Sequence, residues 1–486
     1  MSGDAEAPAV LPPPAGGFDL RVPLLIVGAG AGGLVAALAA AGAGAEPLLV
    51  EADASPSGST ALSAGLIPAA GTRWQDEAGI ADDPATFAAD IMRKAYDEPD
   101  SNLVDALTRN AAPTLEWLAD AHDLPFSLVD DFDYPGHARR RMHGLPTRAG
   151  RELVDALREA VEAAGTMIAG GRRAVRLFAE AGTVRGVGLR RPDGGWETVG
   201  CDRLVLACNG FGGARALVAR HMPDIARAVW FGHDGNRGEA VQWAEGLGAA
   251  TRHLGAYQGH GNVAHPHGIL VSWATITEGG YQVNARGERF HDEGRGYSEA
   301  ARAVLAQPGG VAVTVHDARI GAIARQFEDY RRAEEAGAVR AFATLAELAE
   351  AFDLPGATLA ATHAAFERAK NAAGKDEGGD AWGRDLSRAR PLVAPFRAVR
   401  VTGALFHTQG GLDVSPSGRV RRADGGTLPN LWAVGGAACG VSGSGDAGYL
   451  SGNGLLSAVV LGRLAGREAA ATLADGCLAG DRIAGG

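Results

Sequence analysis

A glycine pattern near the start of the chain has the spacing that dinucleotide-binding proteins use. Gly28, Gly30 and Gly33 follow directly on the apolar run RVPLLIV and open an Ala-rich segment with helical character. Glycines at this spacing let the backbone approach a pyrophosphate, and a helix N-terminus there supplies N–H donors and a positive dipole end. Glu51 ends the next apolar run, where a carboxylate can accept a hydrogen bond from a ribose hydroxyl. The sequence therefore predicts a bound dinucleotide.

Two further glycine-rich blocks bear on which dinucleotide is bound. The segment Ser57–Gly71 is rich in small and hydroxyl-bearing residues, which can lie against a bulky ring and bond to phosphates; the alternative is a flexible Ser/Gly loop. The block from Leu431 to Gly454 leads into a final helical segment, whose N-terminus could stabilise negative charge on a reduced flavin. Together the two blocks favour FAD over NAD.

The composition narrows the class of protein. The chain has 486 residues and a formal net charge of −11, a balance that disfavours nucleic acid and anionic membranes as partners. Its four cysteines form no CxxC or CxxCH motif, so no metal or haem site is predicted. The N-terminus lacks the pattern of a secretory signal, and no apolar run reaches the ~20 residues that span a bilayer. We expect a cytoplasmic protein.

A parallel sheet must position these residues. Strand, helix and strand patterns alternate around the first glycine turn, a meander is predicted with turns at 181–182 and 193–195, and Arg203–Gly210 is predicted as a buried strand. Helices are predicted over residues 150–164 and Leu345–Lys370, and the chain returns to strand, glycine loop and helix at its end. We therefore predict an α/β fold in which both ends of the chain build the nucleotide domain and a second domain is inserted between them.

Seven segments, taken together, match one family: GAGAGGLVAALAAAGAGAEPLLVEA, SGSTALSAG, RLVLACNGFGG, EGGYQVNARGERFHDE, HTQGGLDVSPSGRV, LPNLWAVGGAACG and GNGLLSAVVLGRLAG. They resemble the fumarate reductase/succinate dehydrogenase flavoprotein superfamily, which includes the 3-ketosteroid 1-dehydrogenases and other FAD-dependent ketone desaturases. The resemblance runs from about Val22 to Ala470. It implies FAD as cofactor, hydride exchange between flavin N5 and a carbon next to an activated carbon–carbon bond, and a Rossmann-type FAD-binding domain (parallel sheet plus β-meander) with an inserted α+β capping domain.

The resemblance assigns domain bounds and cofactor-binding residues. The bounds are 1–20 for a disordered tail, 21–255 and 399–486 for the FAD-binding domain, and 256–398 for the capping domain. The residues expected to bind FAD are Gly28, Gly30, Gly33, Glu51, Gly58, Ser59, Thr60, Ser63, Gly65, Val175, Asn209, Gly210, Gly435, Gly454 and Leu455.

Some positions depart from the family pattern. Covalently flavinylated members carry a His where this chain has Ser59, so we expect non-covalent FAD. Gly436 replaces the usual Glu of a Gly-Glu pair. The fumarate reductases hold a dicarboxylate with arginines, but residues 443–454 contain no Arg, and Tyr297 stands at the position expected for the catalytic Arg. Arg295 is two places out of register, and a carboxylate clamp depends on fork geometry.

The ketosteroid dehydrogenases carry tyrosines at the positions of Tyr297 and Tyr449. By this resemblance Tyr297 is a base that removes the α proton. Tyr449 polarises the ketone with a backbone N–H from Gly452 or Asn453, and donors of this kind stabilise a developing enolate by about 3–4 kcal/mol each. A free Tyr has a pKa of ~10 and needs a lower one to act as a base, which Arg295 could provide. The alternative for each tyrosine is a core residue with a satisfied hydroxyl.

Three weaker candidates remain. His260 stands where the fumarate reductases have a substrate-binding His, although a single His is more often structural or exposed. Tyr134 could be a second phenol near Tyr297. The run Arg139–Arg141 could bind a carboxylate, but such runs are more often surface or structural.

The expected function is that of an FAD-dependent desaturase, which introduces a double bond α,β to a ketone, either a 3-ketosteroid or a smaller oxo-cyclohexane-type acid. One alternative is a fumarate or enoate reductase that runs in the opposite direction. The other is a non-catalytic FAD-binding subunit. The expected partners are the small-molecule ketone and a diffusible electron acceptor or partner redox protein, with neither nucleic acid nor a membrane span.

Overall fold

The computed structural model describes residues 7–130, 134, 136–372 and 380–481, with side chains up to residue 474. Its strands are β1 (Ala9–Leu11), β2 (Leu20–Val27), β3 (Pro47–Val50), β4 (Ile67–Pro68), β5 (Ser127–Leu128), β6 (Met142–Gly144), β7 (Met167–Ala169), β8 (Arg173–Glu180), β9 (Thr183–Arg190), β10 (Trp196–Leu206), β11 (Val229–Trp230), β12 (Thr251–Arg252), β13 (Tyr257–Ala264), β14 (Ile269–Leu270), β15 (Tyr281–Val283), β16 (Val311–Asp317), β17 (Arg340–Phe342), β18 (Phe396–Thr408), β19 (Gly411–Leu412), β20 (Arg419–Arg421) and β21 (Thr427–Ala433).

The helices complete this description. They are α1 (Ala31–Gly42), α2 (Gly58–Ala61), α3 (Arg73–Glu77), α4 (Pro84–Lys94), α5 (Ser101–His122), α6 (Gly150–Ala163), α7 (Arg215–His221), α8 (Glu239–Leu247), α9 (Ala274–Thr277), α10 (Tyr297–Leu305), α11 (Ala318–Ala324), α12 (Glu328–Glu335), α13 (Leu345–Ala351), α14 (Gly356–Ala372) and α15 (Asn453–Asp481). Short 3₁₀ turns span Pro223–Ile225, Glu293–Arg295, Pro308–Gly310 and Gly435–Ala437. No helix of these described residues is both long and apolar enough to cross a bilayer.

The chain divides into two compact units. The first extends to Leu217, resumes over Gly232–Tyr257 and continues from His407; the second comprises Val218–Phe231 and Gln258–Phe406. The second unit thus covers most of the predicted capping segment, 256–398, and also includes 218–231 and 399–406, which the predicted bounds had placed in the FAD-binding domain. The reason is strand pairing, because β11 pairs in parallel with β18.

The first unit is built on a twisted α/β sheet. The strand order is β1-β8-β9-β10-β2-β3-β7, and β21 also pairs with β10. Strands β10, β2, β3 and β7 are parallel neighbours, whereas β8, β9 and β10 form an antiparallel meander. The end of β2 is fully buried before α1 begins, as an apolar strand between two parallel neighbours requires. The predicted fold class, a parallel sheet plus a β-meander, is confirmed.

Helices α1 and α15 pack with their backbones in close contact. A Cβ added to Gly462 would lie 2.5 Å from the carbonyl oxygen of Gly32, and one added to Gly466 would lie 2.2 Å from that of Ala36. Both contacts advance along the two helices in the same direction. The first turns of α15, from Asn453 onward, therefore extend past the N-terminus of α1.

The second unit has its own sheet and core. The strand order is β14-β13-β18-β16-β15, with β11 and β17 also paired to β18. Buried side chains including Tyr281, Val315 and Phe396 pack with α13 and α14 on this sheet. The separate core is the physical reason why the two units are distinct.

Two predictions about local structure are wrong. Residues 1–20 were predicted as a disordered tail, but β1 pairs in parallel with β8, and Val10 packs against the core of the first unit. The acidic, Pro-rich composition gave no signal for this three-residue strand, because its partner is distant in sequence. Residues 1–6 lie outside the described part of the chain. The helix predicted over Leu345–Lys370 is two helices, α13 and α14, because Pro355 lacks a backbone N–H and interrupts the helical pattern.

Candidate active site

The turn between β2 and α1 is shaped by its glycines. Gly28 has φ +104°, and a Cβ there would lie 2.3 Å from the carbonyl oxygen of Ala207. A Cβ on Gly33 would lie 1.8 Å from the carbonyl oxygen of Gly28, so any side chain would clash at both positions. Gly30 is the N-cap of α1 and has no capping side chain. The turn therefore places the N-terminus of α1, whose dipole favours an anion, directly after β2.

Glu51 holds this turn from the end of β3. Its carboxylate accepts the N–H of Ala29 at 2.6 Å through Oε2 and the N–H of Asp53 at 3.0 Å through Oε1. A carboxylate has about four acceptor positions, so these two bonds leave capacity for a ribose hydroxyl. Thr60 Oγ1 accepts the N–H of Ala31 at 3.1 Å and ties α2 to the same turn.

A cluster of amides surrounds Ser59. Its Oγ accepts from Asn209 Nδ2 at 2.9 Å and from Asn236 Nδ2 at 3.1 Å. A hydroxyl has two acceptor positions and one proton, so the Ser59 proton is left to donate. Asn236 Oδ1 and Glu239 Oε2 are buried without a hydrogen-bond partner among the described residues. Such unsatisfied atoms are costly, and their arrangement fits a polar cofactor.

The other predicted cofactor residues also lie in the first unit. Gly58, Gly65 and Gly435 all adopt positive φ, and a Cβ on Gly210 would lie 2.0 Å from Thr408 Oγ1. Three further predicted residues form hydrogen bonds: the Ser63 hydroxyl donates to the carbonyl of Thr60, the carbonyl of Val175 accepts from Trp243 Nε1–H, and Asn209 Oδ1 accepts from the N–H of Gly210. Leu455 is partly buried and packs against the core. Sequence reasoning missed Asn236 and Glu239.

Tyr449 lies beside a histidine that sequence reasoning also missed. The ring of His407 meets the ring of Tyr449 edge-on, with centroids 5.4 Å apart and planes at 77°. His407 Nδ1 lies 2.6 Å from Gln409 Nε2, and Gln409 Oε1 accepts the Ser442 hydroxyl at 2.9 Å. Burial lowers the pKa of His407 to about 4, so the ring is neutral at physiological pH. His407 is the first residue of the motif HTQGG. Because this motif already supported the family resemblance, it could have indicated the histidine.

The start of α15 supplies the predicted backbone donors. Gly452 has φ +85°, and a Cβ there would lie 2.6 Å from Pro68 Cδ. The N–H of Asn453 donates to the carbonyl of Leu450 at 3.1 Å. Because this N–H is already engaged, we retain Gly452 as the candidate donor of the two.

In the second unit, Tyr297 belongs to an aromatic cluster of Phe231, His260, Trp273, Tyr297 and Phe406. The His260 ring stacks on Tyr297 (centroids 5.1 Å apart, planes at 16°) and on Phe406 (5.5 Å, 18°). Trp273 meets His260 edge-on at 5.6 Å, and Phe231 stacks on Phe406 at 4.9 Å. Four rings thus form a continuous stack that ends at the Tyr297 phenol.

His260 is a neutral ring in this cluster. Its Nδ1 accepts the N–H of Asn262 at 3.2 Å, which assigns the ring proton to Nε2. Burial lowers the pKa of His260 to about 3. The imidazole therefore stays neutral and contributes no positive charge beside Tyr297.

A buried ion-pair network around Glu293 lies four residues before Tyr297 in the chain. Glu293, fully buried, pairs with Arg289 at 2.5 Å and with Arg384 at 3.3 Å. Burial alone would raise the pKa of Glu293, but the two guanidinium groups outweigh it and lower that pKa to about 2. Gly296, with φ +140°, then begins α10 at Tyr297. Arg295, proposed to act on Tyr297, is an exposed side chain.

The remaining candidate residues, Tyr134 and the run Arg139–Arg141, lie outside the aromatic cluster of the second unit. Tyr134 packs against the small apolar cluster of Leu66, Val129 and Met142 in the first unit. Arg141 is fully buried and pairs with Asp82 at 2.8 Å and with Asp90 at 2.6 Å, so it is a structural part of the core. Its neighbours 139 and 140 are exposed.

The fold, the glycine turn and the polar shell define the class of protein, an FAD-dependent flavoprotein oxidoreductase. The chain belongs to the FAD binding domain family, whose model matches residues 24–455, and within it to the fumarate reductase/succinate dehydrogenase flavoprotein superfamily. It is 29% identical over 452 residues to the probable fumarate reductase Ifc3 of Shewanella frigidimarina (strain NCIMB 400), which covers 92% of this chain and 74% of the relative.

Solved structures agree on the fold. The open conformation of a flavocytochrome c3 fumarate reductase matches with a TM-score of 0.80 and 27% identity, over 94% of this chain and 80% of that one. The 3-ketosteroid Δ1-dehydrogenase of Sterolibacterium denitrificans matches with a TM-score of 0.77 and 18% identity, over 93% of this chain and 100% of that one. The second likeness concerns the fold alone. FAD is thus the cofactor that the family indicates.

Proposed function

We propose that this chain is an FAD-dependent dehydrogenase acting on CH–CH groups, which introduces a double bond α,β to the ketone of a cyclic substrate. The observation that carries the proposal is the aromatic cluster around Tyr297. Its stacked rings and neutral His260 suit a flat apolar ring. A dicarboxylate calls for arginine forks, and residues 443–454 contain none.

The two tyrosines have different roles in this proposal. Tyr297 removes the proton from the carbon α to the ketone. Tyr449 donates its hydroxyl hydrogen to the carbonyl oxygen, with the N–H of Gly452 as a second donor, and so stabilises the negative charge that develops there. The chemistry that FAD supplies when bound is acceptance of the hydride that leaves the β carbon.

The cofactor is held by the glycine turn, Glu51 and the shell around Ser59. Ser59 has no nucleophilic ring nitrogen, so the flavin is bound without a covalent link. Acid denaturation should therefore release FAD into the supernatant, and flavin that stays with the precipitated protein would contradict this. The reoxidising partner is a diffusible acceptor or a redox protein.

A second candidate is the reverse reaction, reduction of fumarate or another enoate. The observation that favours it is the likeness to the probable fumarate reductase of Shewanella frigidimarina. Against it stand the missing arginine of the C-terminal loop and Tyr297 at the position where the family's reductases carry their catalytic Arg.

An anaerobic titration separates the two directions. A saturated cyclic ketone, either a 3-ketosteroid or an oxo-cyclohexane acid, should bleach the oxidised flavin band, and a dye acceptor should sustain turnover. The photoreduced enzyme should react slowly with fumarate. If fumarate rapidly reoxidises the photoreduced enzyme and no ketone bleaches the oxidised enzyme, the reductase hypothesis replaces this proposal.

A further inference from the structure

A histidine side chain contacts the backbone just before α15. Nε2 of His137 lies 3.0 Å from the carbonyl oxygen of Ser451. A carbonyl oxygen accepts hydrogen bonds and cannot donate them, so this contact requires a proton on Nε2. Burial lowers the pKa of His137 to about 4, and a neutral imidazole has a single N–H. The ring proton of His137 therefore lies on Nε2 and is donated to Ser451.

The other ring nitrogen of His137 faces an arginine. Nη1 of Arg141 lies 3.5 Å from His137 Nδ1, and a guanidinium has donors only, which suits an unprotonated Nδ1. Asp82 accepts from Arg141 Nε at 2.8 Å and from Nη2 at 3.0 Å, and Asp90 accepts from Nη1 at 2.6 Å. Such a two-pronged bond fixes the plane of the guanidinium. Both neighbours of the imidazole thus select the same tautomer.

The backbone beside His137 is anchored as well. The N–H of Ala138 donates to Asp90 Oδ2 at 2.7 Å. A Cβ on Gly136 would lie 2.7 Å from Leu450 Cδ1, so this loop packs closely against the segment before α15. The imidazole therefore reaches its acceptor from a loop that is held on both sides.

The carbonyl that His137 binds belongs to the same peptide unit as the N–H of Gly452. This peptide is trans, and the C=O and N–H of a planar trans peptide point in opposite directions. A hydrogen bond that holds the Ser451 carbonyl therefore also sets the direction of the Gly452 N–H. Because linked hydrogen bonds polarise one another, the bond at the carbonyl also makes this N–H a stronger donor. Both residues of the peptide are partly exposed.

We propose that His137 is a positioning residue of the reaction, which fixes the Gly452 N–H through the Ser451 carbonyl. This proposal rests on the proposed function, in which the Gly452 N–H is one of two donors to the ketone oxygen. Arg141 acts one step further away, because it favours the Nε2 tautomer of His137. A misdirected donor weakens the transition state more than substrate binding, since the negative charge develops on the oxygen only during the reaction.

The first test compares two substitutions of His137 in the holoenzyme. In His137→Leu, which removes the donor, kcat for a saturated 3-ketosteroid or oxo-cyclohexane acid should fall about 10-fold, less than removal of a whole oxyanion donor would cost. KM should stay nearly unchanged, because the lost interaction belongs to the transition state. His137→Gln offers an amide N–H to Ser451 and a carbonyl to Arg141, so it should restore most of the lost turnover.

The matched control is Asn430→Leu. It removes another buried side-chain donor to backbone carbonyls, those of Val184 and Asp202, and should leave kcat unchanged.

The second test is made on the wild-type holoenzyme and does not require that His137→Leu folds. With ¹⁵N-labelled histidine, the NMR signals of the His137 ring should show the Nε2–H tautomer at neutral pH. These signals are identified by their absence from His137→Gln.

An Nδ1–H tautomer, or a kcat of His137→Leu equal to that of the wild type, would overturn the proposal and leave ketone oxidation intact. A loss of turnover that His137→Gln does not restore, or that Asn430→Leu shares, would also overturn it, since the cause would then be the fold and not the donor. If no ketone reduces the wild-type flavin, the proposed function fails and the role of His137 fails with it.

Discussion

Each unit of the molecule carries a tyrosine beside a neutral histidine, but the two pairs are held differently. In the first unit, His407 meets Tyr449 edge-on at 77°, and Gln409 contacts its Nδ1. In the second, His260 lies flat on Tyr297 at 16° and is itself stacked on another ring. A side-chain amide contacts the histidine of the first pair, whereas in the second pair ring stacking adds to the backbone hydrogen bond that His260 Nδ1 accepts from Asn262.

This difference bears on what each pair can do. A hydrogen-bonded relay fixes the direction of polar atoms, which suits the binding of a carbonyl oxygen. A stack of rings excludes water and presents flat apolar surface, which suits a cyclic carbon skeleton. Neither histidine is protonated near neutral pH, because burial lowers both pKa values to about 4 or less. Each histidine is therefore a neutral ring with one N–H donor, and in the proposed function the tyrosine hydroxyls carry the proton transfers.

The largest expected effect is that of Tyr297→Phe. The change removes the proposed base and keeps the ring stack, so turnover should fall by about 10²–10⁴. Exchange of the ketone α hydrogen with solvent deuterium, followed by mass spectrometry, should fall with it. Tyr281→Phe is the matched control, since it removes a phenol that contacts His363 elsewhere in the second unit, and it should keep near-normal turnover.

If Tyr297→Phe retained both turnover and α exchange, the base would lie elsewhere and the ketosteroid-type reading of the aromatic cluster would fail. His260 could not simply replace it, because a ring with a pKa of about 3 is a weak base at neutral pH. The difference between the two tyrosine–histidine pairs would then no longer indicate different roles in the reaction.

Tyr449→Phe should have the next largest effect. It removes one donor to the carbonyl oxygen, and such a loss costs about 10²–10³ in turnover. FAD should remain bound, as judged by the visible spectrum, because the glycine turn and Glu51 are untouched. Turnover within threefold of the wild type, roughly 0.7 kcal/mol in the barrier, would show that the carbonyl oxygen is held by other donors.

Much of the fold could be predicted because its signals are local. The strand before Gly28, helix α1 and strand β3 follow from apolar runs and glycine spacing within 30 residues, and the turn at Ala181-Gly182 was predicted from residue type; both its residues adopt positive φ. Strand β1 was missed because its partner β8 lies far along the chain. The pairing of β11 with β18, which transfers residues 218–231 to the second unit, was missed for the same reason.

The site shows the same limit more strongly. Family position pointed to Tyr297 and Tyr449, and their roles remain predictions. No sequence pattern indicated that Gln409 and Ser442, 33 residues apart, would share a hydrogen bond, or that Asn236 would reach Ser59 across 177 residues. Contacts of this kind depend on how distant segments pack, and a single sequence records that only indirectly.

The smallest expected effect is that of His260→Gln on the pH dependence of the free energy of unfolding, which distinguishes protonation of His260 from its packing in the ring stack. The pKa of His260 is about 3 in the folded chain and ~6.5 when unfolded. Between these values the unfolded state binds the extra proton, so the free energy of unfolding falls as pH falls from about 6.5 toward 3. Each such histidine contributes a slope of about 1.4 kcal/mol per pH unit to the free energy of unfolding.

His260→Gln should reduce the pH dependence of the free energy of unfolding by that amount, measured by urea unfolding at a series of pH values. Phe406→Leu removes a stacking partner and no titrating group, so it should lower stability equally at each pH. Equal slopes in the wild type and His260→Gln would mean that the imidazole is protonated within the stack, and the two pairs would then differ in charge as well as in geometry.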